Sequence, residues 1–141
     1  MNIWICPTSQ QNLQMTIENK YNGENIWAFN ANRKKSFDIM NIGDICLFGS
    51  LRKNEGFRYL GIVETKKILT EFEDHWPFKT PSGTFWKYSF TLKIYKINIS
   101  PEKMRELRGF SSRQGWQTQT NLTIGKEEIL EYLKNNYSFV E

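Results

Sequence analysis

The stretch WKYSFTLKIYKINI (86–99) decides the fold. Apolar and polar residues alternate along it, and side chains of a strand point to opposite faces with a period of two. Alternation over so long a run predicts a strand. Ser100 and Pro101 follow at once. Serine is a favoured helix N-cap and proline suits the first helical position, so a helix starts there. It ends at Arg108-Gly109, where glycine fits a left-handed cap.

Reading outward from this strand extends the pattern. FRYLGIVETKKIL (57–69) is a second long strand, joined back to ICLFGS (45–50) by the hairpin chemistry of KNEG (53–56). Residues 70–85 are broken by proline and glycine and read as a loop. Asn41 to Asp44 reads as a turn. NIWICP (2–7) and NIWAF (25–29) are shorter extended pieces. TSQQNLQMTIENK (8–20) has room for a short helix anchored by Leu13, Met15 and Ile17. A helix is expected over RKKSFDIM (33–40), capped by Asn30 or Asn32, with Phe37 and Met40 inward. Residues 110–121 read as a Gln-rich loop around Trp116. TIGKEEILEYLKNN (123–136) reads as a closing helix with Ile129, Leu130 and Leu133 on its apolar face. The expected fold is α+β in one domain over 1–141: a small, strongly curved mixed β-sheet or barrel flanked by two or three helices.

At 141 residues, 39% hydrophobic and 24% charged, the chain has the material for a real core. No apolar run approaches the roughly 18 residues a membrane span needs. MNIWICPTSQ (1–10) lacks the charged start and apolar core of a signal peptide, so the expected location is the cytoplasm. The net charge of +4 suits a polyanion partner without requiring one.

Several kinds of chemistry lack their parts. Neither GxxxxGK[ST] nor GxGxxG occurs. His75 is the only histidine, and no serine or cysteine motif surrounds it, so a nucleophilic triad has no support. Cys6 and Cys46 with a single histidine are too few soft ligands for a structural zinc, and read as buried free thiols. No cofactor is implied. One enzymatic pattern stands: Asp44, with Glu64-Thr65-Lys66 on a later strand, is similar to the acidic pair and lysine that hold magnesium and steady the attacking water in nucleases. Both pieces are common, and Gly43-Asp44 is a common strand-entry turn. The metal-dependent nuclease is kept as an alternative.

Aromatic residues make up 15% of the chain, and five are tryptophans. Trp4 sits inside IWIC and reads as core. Trp27, Trp76 and Trp86 have polar neighbours: Asn25 and Asn30, His75 and Lys79, Lys87. Basic residues cluster in RKK (33–35), LRK (51–53) and TKK (65–67), with Arg105, Arg108, Arg113 and Lys126 later. Aromatic slots beside basic runs are what a nucleic-acid reader needs. Charges such as Lys34, Lys35 and Arg113 would hold phosphates without reading sequence. Aromatic walls would stack a splayed-out base. Composition alone leaves the other reading open, in which the rings are core and the charges a solvated face.

The order of motifs resembles the PUA-like superfamily, and within it the YTH and EVE domains. IWICPTSQQNL (3–13), NIWAFNANRKKSF (25–37), IGDICLFGS (42–50) with FRYLGIVE (57–64), HWPF (75–78), FWKYSFTLKI (85–94) and NLTIGKEEI (121–129) fall in the order of similar segments there. The resemblance implies a pocket for a base flipped out of its strand. Trp27 and Trp76 match its tryptophan walls. Trp86 falls at a third wall usually formed by leucine or methionine, a departure that would narrow the pocket. Ser9 and Asn12 fall near polar residues that bond the base edge, although the family's asparagine spacing is not reproduced. The main chain around Ala28 would also bond the base. Lys126 matches a phosphate-binding arginine position, while Thr123 replaces a residue that is often basic.

The resemblance implies binding rather than catalysis, with N6-methyladenine the favoured base and modified cytosine also fitting. One methyl contributes only about 0.8 kcal/mol on burial. Discrimination of about 10- to 200-fold is therefore expected. Similar domains stand at the N-terminus of McrB-type modification-dependent restriction proteins. The implied partners are thus modified DNA, an AAA+ GTPase motor and a nuclease subunit, which would carry any GTPase or nuclease activity. An RNA-binding PUA-like module reading methylated RNA is the alternative. Glu71, Glu73 and Asp74 beside Trp76 also keep a methyl-lysine cage open.

Overall fold

The computed structural model describes residues 1–8, 24–29, 33–52, 54–68, 88–109 and 120–140. Among them, in chain order, are β1 (Ile3–Pro7), β2 (Asn25–Phe29), α1 (Lys34–Ile39), β3 (Ile45–Ser50), β4 (Gly56–Ile68), β5 (Tyr88–Ile99), α2 (Pro101–Arg108), β6 (Thr120–Asn121) and α3 (Lys126–Asn136). The strands form one mixed sheet of order β2-β5-β4-β3-β1-β6. β1 runs parallel to β3, and every other pairing is antiparallel.

The alternation of β5 explains the two cores. Tyr88, Phe90 and Leu92 turn to one face, into an aromatic cluster with Trp4, Trp27, Phe29, Phe37 and Phe48. Ile97 and Ile99 turn to the other, into an aliphatic cluster with Ile3, Ile5 and Leu47. Met104 of α2 and Ile129 and Leu133 of α3 cover that second face. Phe37 of α1 packs on the first.

The sheet curls around its aromatic face. Register shifts interrupt the β4–β5 ladder between Phe57 and Tyr59 and between Val63 and Thr65, and such bulges bend and twist a strand. Trp4 of β1 and Phe29 of β2 lie four ladder steps apart. On a flat sheet that is about 19 Å at roughly 4.8 Å per step. Their ring centroids are 5.8 Å apart. α1 bridges the open side. Its Phe37 ring lies 5.0 Å from that of Tyr88. Asn2 Nδ2 donates to the Ile39 carbonyl at 3.3 Å. Lys66 Nζ donates to the carbonyls of Phe37 and, at 2.6 Å, Met40.

Local signals hold in detail at several places. The Ser100 hydroxyl caps α2 by accepting from Lys103 N at 3.0 Å, and Gly109 ends it at φ 82°. In the β3–β4 hairpin Gly56 takes φ 77°. A Cβ at Gly49 would run into the Gly56 carbonyl oxygen, so only glycine allows that close approach. Elsewhere the structure differs. Arg33, not Asn30 or Asn32, is the N-cap of α1, and it makes no side-chain cap. α3 starts at Lys126, after Gly125 at φ 81°, rather than at Thr123. Thr120 and Asn121, expected in a loop, pair with Ile5 and Trp4 as β6. Two residues are too few for periodicity to show. The short helix expected within 8–20 (Thr8 apart) and the loop 70–85 lie outside the described residues.

Candidate nucleic-acid interface

Strand register builds one corner of the sheet. Phe29 stands opposite Tyr88, and Tyr88 opposite Ile68. The last residues of β2 and β4 and the first of β5 therefore lie side by side. Residues 30–32 and 69–87 join the sheet at this corner, and the second segment carries His75, Trp76 and Trp86. Trp27 lies two residues in from the corner along β2, opposite Phe90. It is 5% exposed, and its ring meets Phe48 edge-on at 5.1 Å and 67°. Trp4, at 1% exposed, belongs to the same cluster. The contrast drawn from their neighbours is thus absent from their burial: Asn25 opens a strand whose alternate residues, Trp27 and Phe29, turn inward. Ala28 is buried too, and pairs with Ser89. Trp76, Trp86, Ser9, Asn12 and Arg113 lie outside the described residues.

Cations gather beside this corner. The Arg33 guanidinium lies 5.9 Å from the centre of the Phe29 ring. Lys34 pairs with Asp38 at 2.6 Å, one helical turn on, and that hydrogen bond and charge raise its pKa. Lys35 is exposed and forms no ion pair among the described residues. It stands two residues from buried Phe37, so it points away from the sheet. Lys126 is elsewhere. It opens α3, which packs on the aliphatic face. The structure thus brings Lys34 and Lys35 to the Trp27 side and sets Lys126 on the other.

A groove of about 290 Å³, lined by Glu24, Asn25, Glu64, Thr91 and Lys93, crosses β4, β5 and the start of β2. No local motif marks it, because only strand register assembles residues so far apart in the chain.

The nuclease triplet does not assemble. Asp44 is 1% exposed. Its carboxylate accepts from Asn2 N at 2.9 Å, Asn2 Nδ2 at 3.2 Å, Trp4 Nε1 at 3.1 Å and Asn41 N at 2.8 Å. These four donors and its burial commit the carboxylate to the fold. Lys66 is committed to the α1 carbonyls, while Glu64 is exposed. Among the described residues no three His, Cys, Asp or Glu side chains group to hold a metal. Cys6 and Cys46 are free and buried. Burial above all, and then a hydrogen bond with Cys6, push the Cys46 thiol well above its ordinary pKa.

The curled six-stranded sheet with helices on both faces agrees with the PUA-like fold class expected from the sequence. The chain is similar in structure to the N-terminal domain of Thermococcus gammatolerans McrB bound to m5C DNA. The TM-score is 0.65 and the identity 14%, over 96% of this chain and 98% of that one. At this identity the likeness establishes the fold. No protein-family model and no curated protein matches the sequence. No helix among the described residues is long and apolar enough to cross a membrane.

Proposed function

We propose that the chain is a DNA-binding domain, spanning 1–141, that reads a modified base. The observation that carries this is the likeness along nearly the whole chain to a domain described as bound to m5C DNA. The corner supports it: Trp27 is held by Phe48 beside the point where the segment with Trp76 and Trp86 joins the sheet. A ring fixed in this way suits a wall. In this reading Trp27, Trp76 and Trp86 enclose a base flipped from the duplex, with Ser9, Asn12 and the Ala28 main chain on its polar edge. Lys34, Lys35, Arg113 and Lys126 hold phosphates. Flipping costs a few kcal/mol, and stacking returns about 1–3 kcal/mol per ring.

N6-methyladenine is the base suggested by the YTH-like motifs, and 5-methylcytosine the one named for the structural neighbour. Either way the domain binds and does not cut, and an AAA+ GTPase motor with a nuclease subunit would act on what it finds. The test is binding of matched DNA duplexes carrying adenine, N6-methyladenine, cytosine or 5-methylcytosine, with RNA counterparts, at one fixed salt. Tryptophan fluorescence reports the stacked base by quenching. A preference of about 10- to 200-fold for one modified duplex is expected. Equal, weak, salt-sensitive binding to all would overturn the reading and leave a basic PUA-like module. Preference for methylated RNA would favour the RNA-reading alternative.

A further inference from the structure

Lys66 entered as the lysine of a nuclease pattern, and the structure gives it other work. It lies on β4 opposite Phe90, the residue that Trp27 faces from the other side. Its ammonium donates to the carbonyls of Phe37 and Met40, at the C-terminal end of α1. The same ammonium sits 4.4 Å from the centre of the Phe37 ring. A helix C-terminus leaves its last carbonyls without intrahelical partners, and a lysine there satisfies them and offsets their partial negative charge. α1 is only six residues long, too short to hold its place on helix propensity. Phe37 is its one buried residue, so α1 is fixed to the sheet by Phe37, by Lys66, by the Asn2 amide on Ile39 and by the buried Met40 that follows it.

What α1 carries in its first turn, after the N-cap Arg33, is Lys34 and Lys35 beside the Trp27 corner. We propose that Lys66 is a positioning residue for DNA binding: by gripping α1 it sets Lys34 and Lys35 where they meet phosphates next to the flipped base. The inference rests on the DNA-binding reading above. It assigns Lys66 no contact with DNA. Its effect therefore has to pass through the two lysines of α1, and that makes it measurable.

The test is a double-mutant cycle on the full chain, read as duplex affinity over a range of salt. Lys66→Met keeps the apolar stem over Phe37 and removes the donor. It is expected to weaken binding about 3- to 10-fold and to reduce the slope of log affinity against log salt by about one, as one phosphate contact is lost. Lys34→Ala/Lys35→Ala should weaken binding by at least as much. Adding Lys66→Met to that pair should cost nothing further, since residues acting through one another are not additive. Lys66→Arg, which retains donors, should restore both affinity and slope. An unfolding curve for each variant separates these effects from loss of fold: a purely structural lysine would lower stability without changing the salt slope. Additive losses, or an unchanged salt slope in a folded Lys66→Met chain, would overturn the inference and leave the DNA-binding reading intact. Absence of DNA binding by the unmutated chain at low salt would overturn both.

Discussion

Trp27 and Phe48 touch edge to face at 5.1 Å although β2 and β3 are three ladder steps apart. On a flat sheet three steps span about 14 Å. The contact therefore crosses the interior of the curl, and Trp27 is part of what holds the curl closed. A residue in that position serves the fold before it serves any ligand.

This gives the first prediction. Trp27→Ala is expected to lower unfolding stability by about 3–5 kcal/mol, the range for emptying a large aromatic site in a core. A urea titration measures it. Trp27→Phe fills most of the space and should keep most of the stability while losing the preference for a modified base. A Trp27→Ala chain that unfolds at the wild-type urea concentration would show that this ring is no core element.

Asp44 gives the second. Its carboxylate binds the indole N–H of Trp4, which is itself buried, together with two backbone N–H groups and the Asn2 amide. Asp44→Ala leaves these donors without their acceptor. An unsatisfied buried donor costs about 1–3 kcal/mol, so the loss should be at least that. Asp44→Asn, which keeps one acceptor oxygen, should lose less. Magnesium or manganese should not raise the melting temperature of the unmutated chain. A saturable rise that disappears in Glu64→Ala would bring back the metal reading.

Strands β1 to β5 and α2 were legible because their signals are local. Period-two alternation marks β5, and Ser100, Pro101 and Gly109 mark both ends of α2. The PUA-like curl was legible in the order of the motifs. The role of Trp27 was harder to read: polar neighbours in the chain say little about a strand residue, whose contacts lie across the sheet. Phe48, the ring it meets, is 21 positions away. The place of Lys66 was hidden for the same reason, since its partners Phe37 and Met40 lie in and just after an element that only folding brings to β4. Asp44 had a visible signal in the Gly-Asp turn, but the donors that claim it come from the chain's first four residues as well as from the turn.

The thiols give a prediction in pH. The Cys46 pKa is raised, chiefly by burial, so folding favours the protonated thiol. A raised acid binds its proton more tightly in the folded state than in the unfolded one. Its contribution to stability is complete below the unfolded thiol's value of about 8.5. It is lost as pH rises from there through the folded value. Urea midpoints should therefore fall in that alkaline range, and Cys46→Ala should remove part of the fall. Both thiols should also resist a thiol reagent at pH 8 until the chain unfolds. Rapid labelling of the folded chain would contradict their burial.

Lys35 and Lys126 give the last prediction, because they stand on opposite sides of the sheet. If both hold phosphates, the duplex must reach beyond the Trp27 corner to the start of α3. Each contact then contributes about 0.9 to the salt slope. Lys35→Ala and Lys126→Ala should each reduce the slope by about one. The double variant should reduce it by about two, since distant sites with no shared partner add. The losses should be equal on modified and unmodified duplexes, because phosphate contacts do not read bases. A slope unchanged by Lys126→Ala but reduced by Lys35→Ala would confine the DNA to the α1 side. Lys126 would then owe its place to the packing of α3 on the aliphatic face.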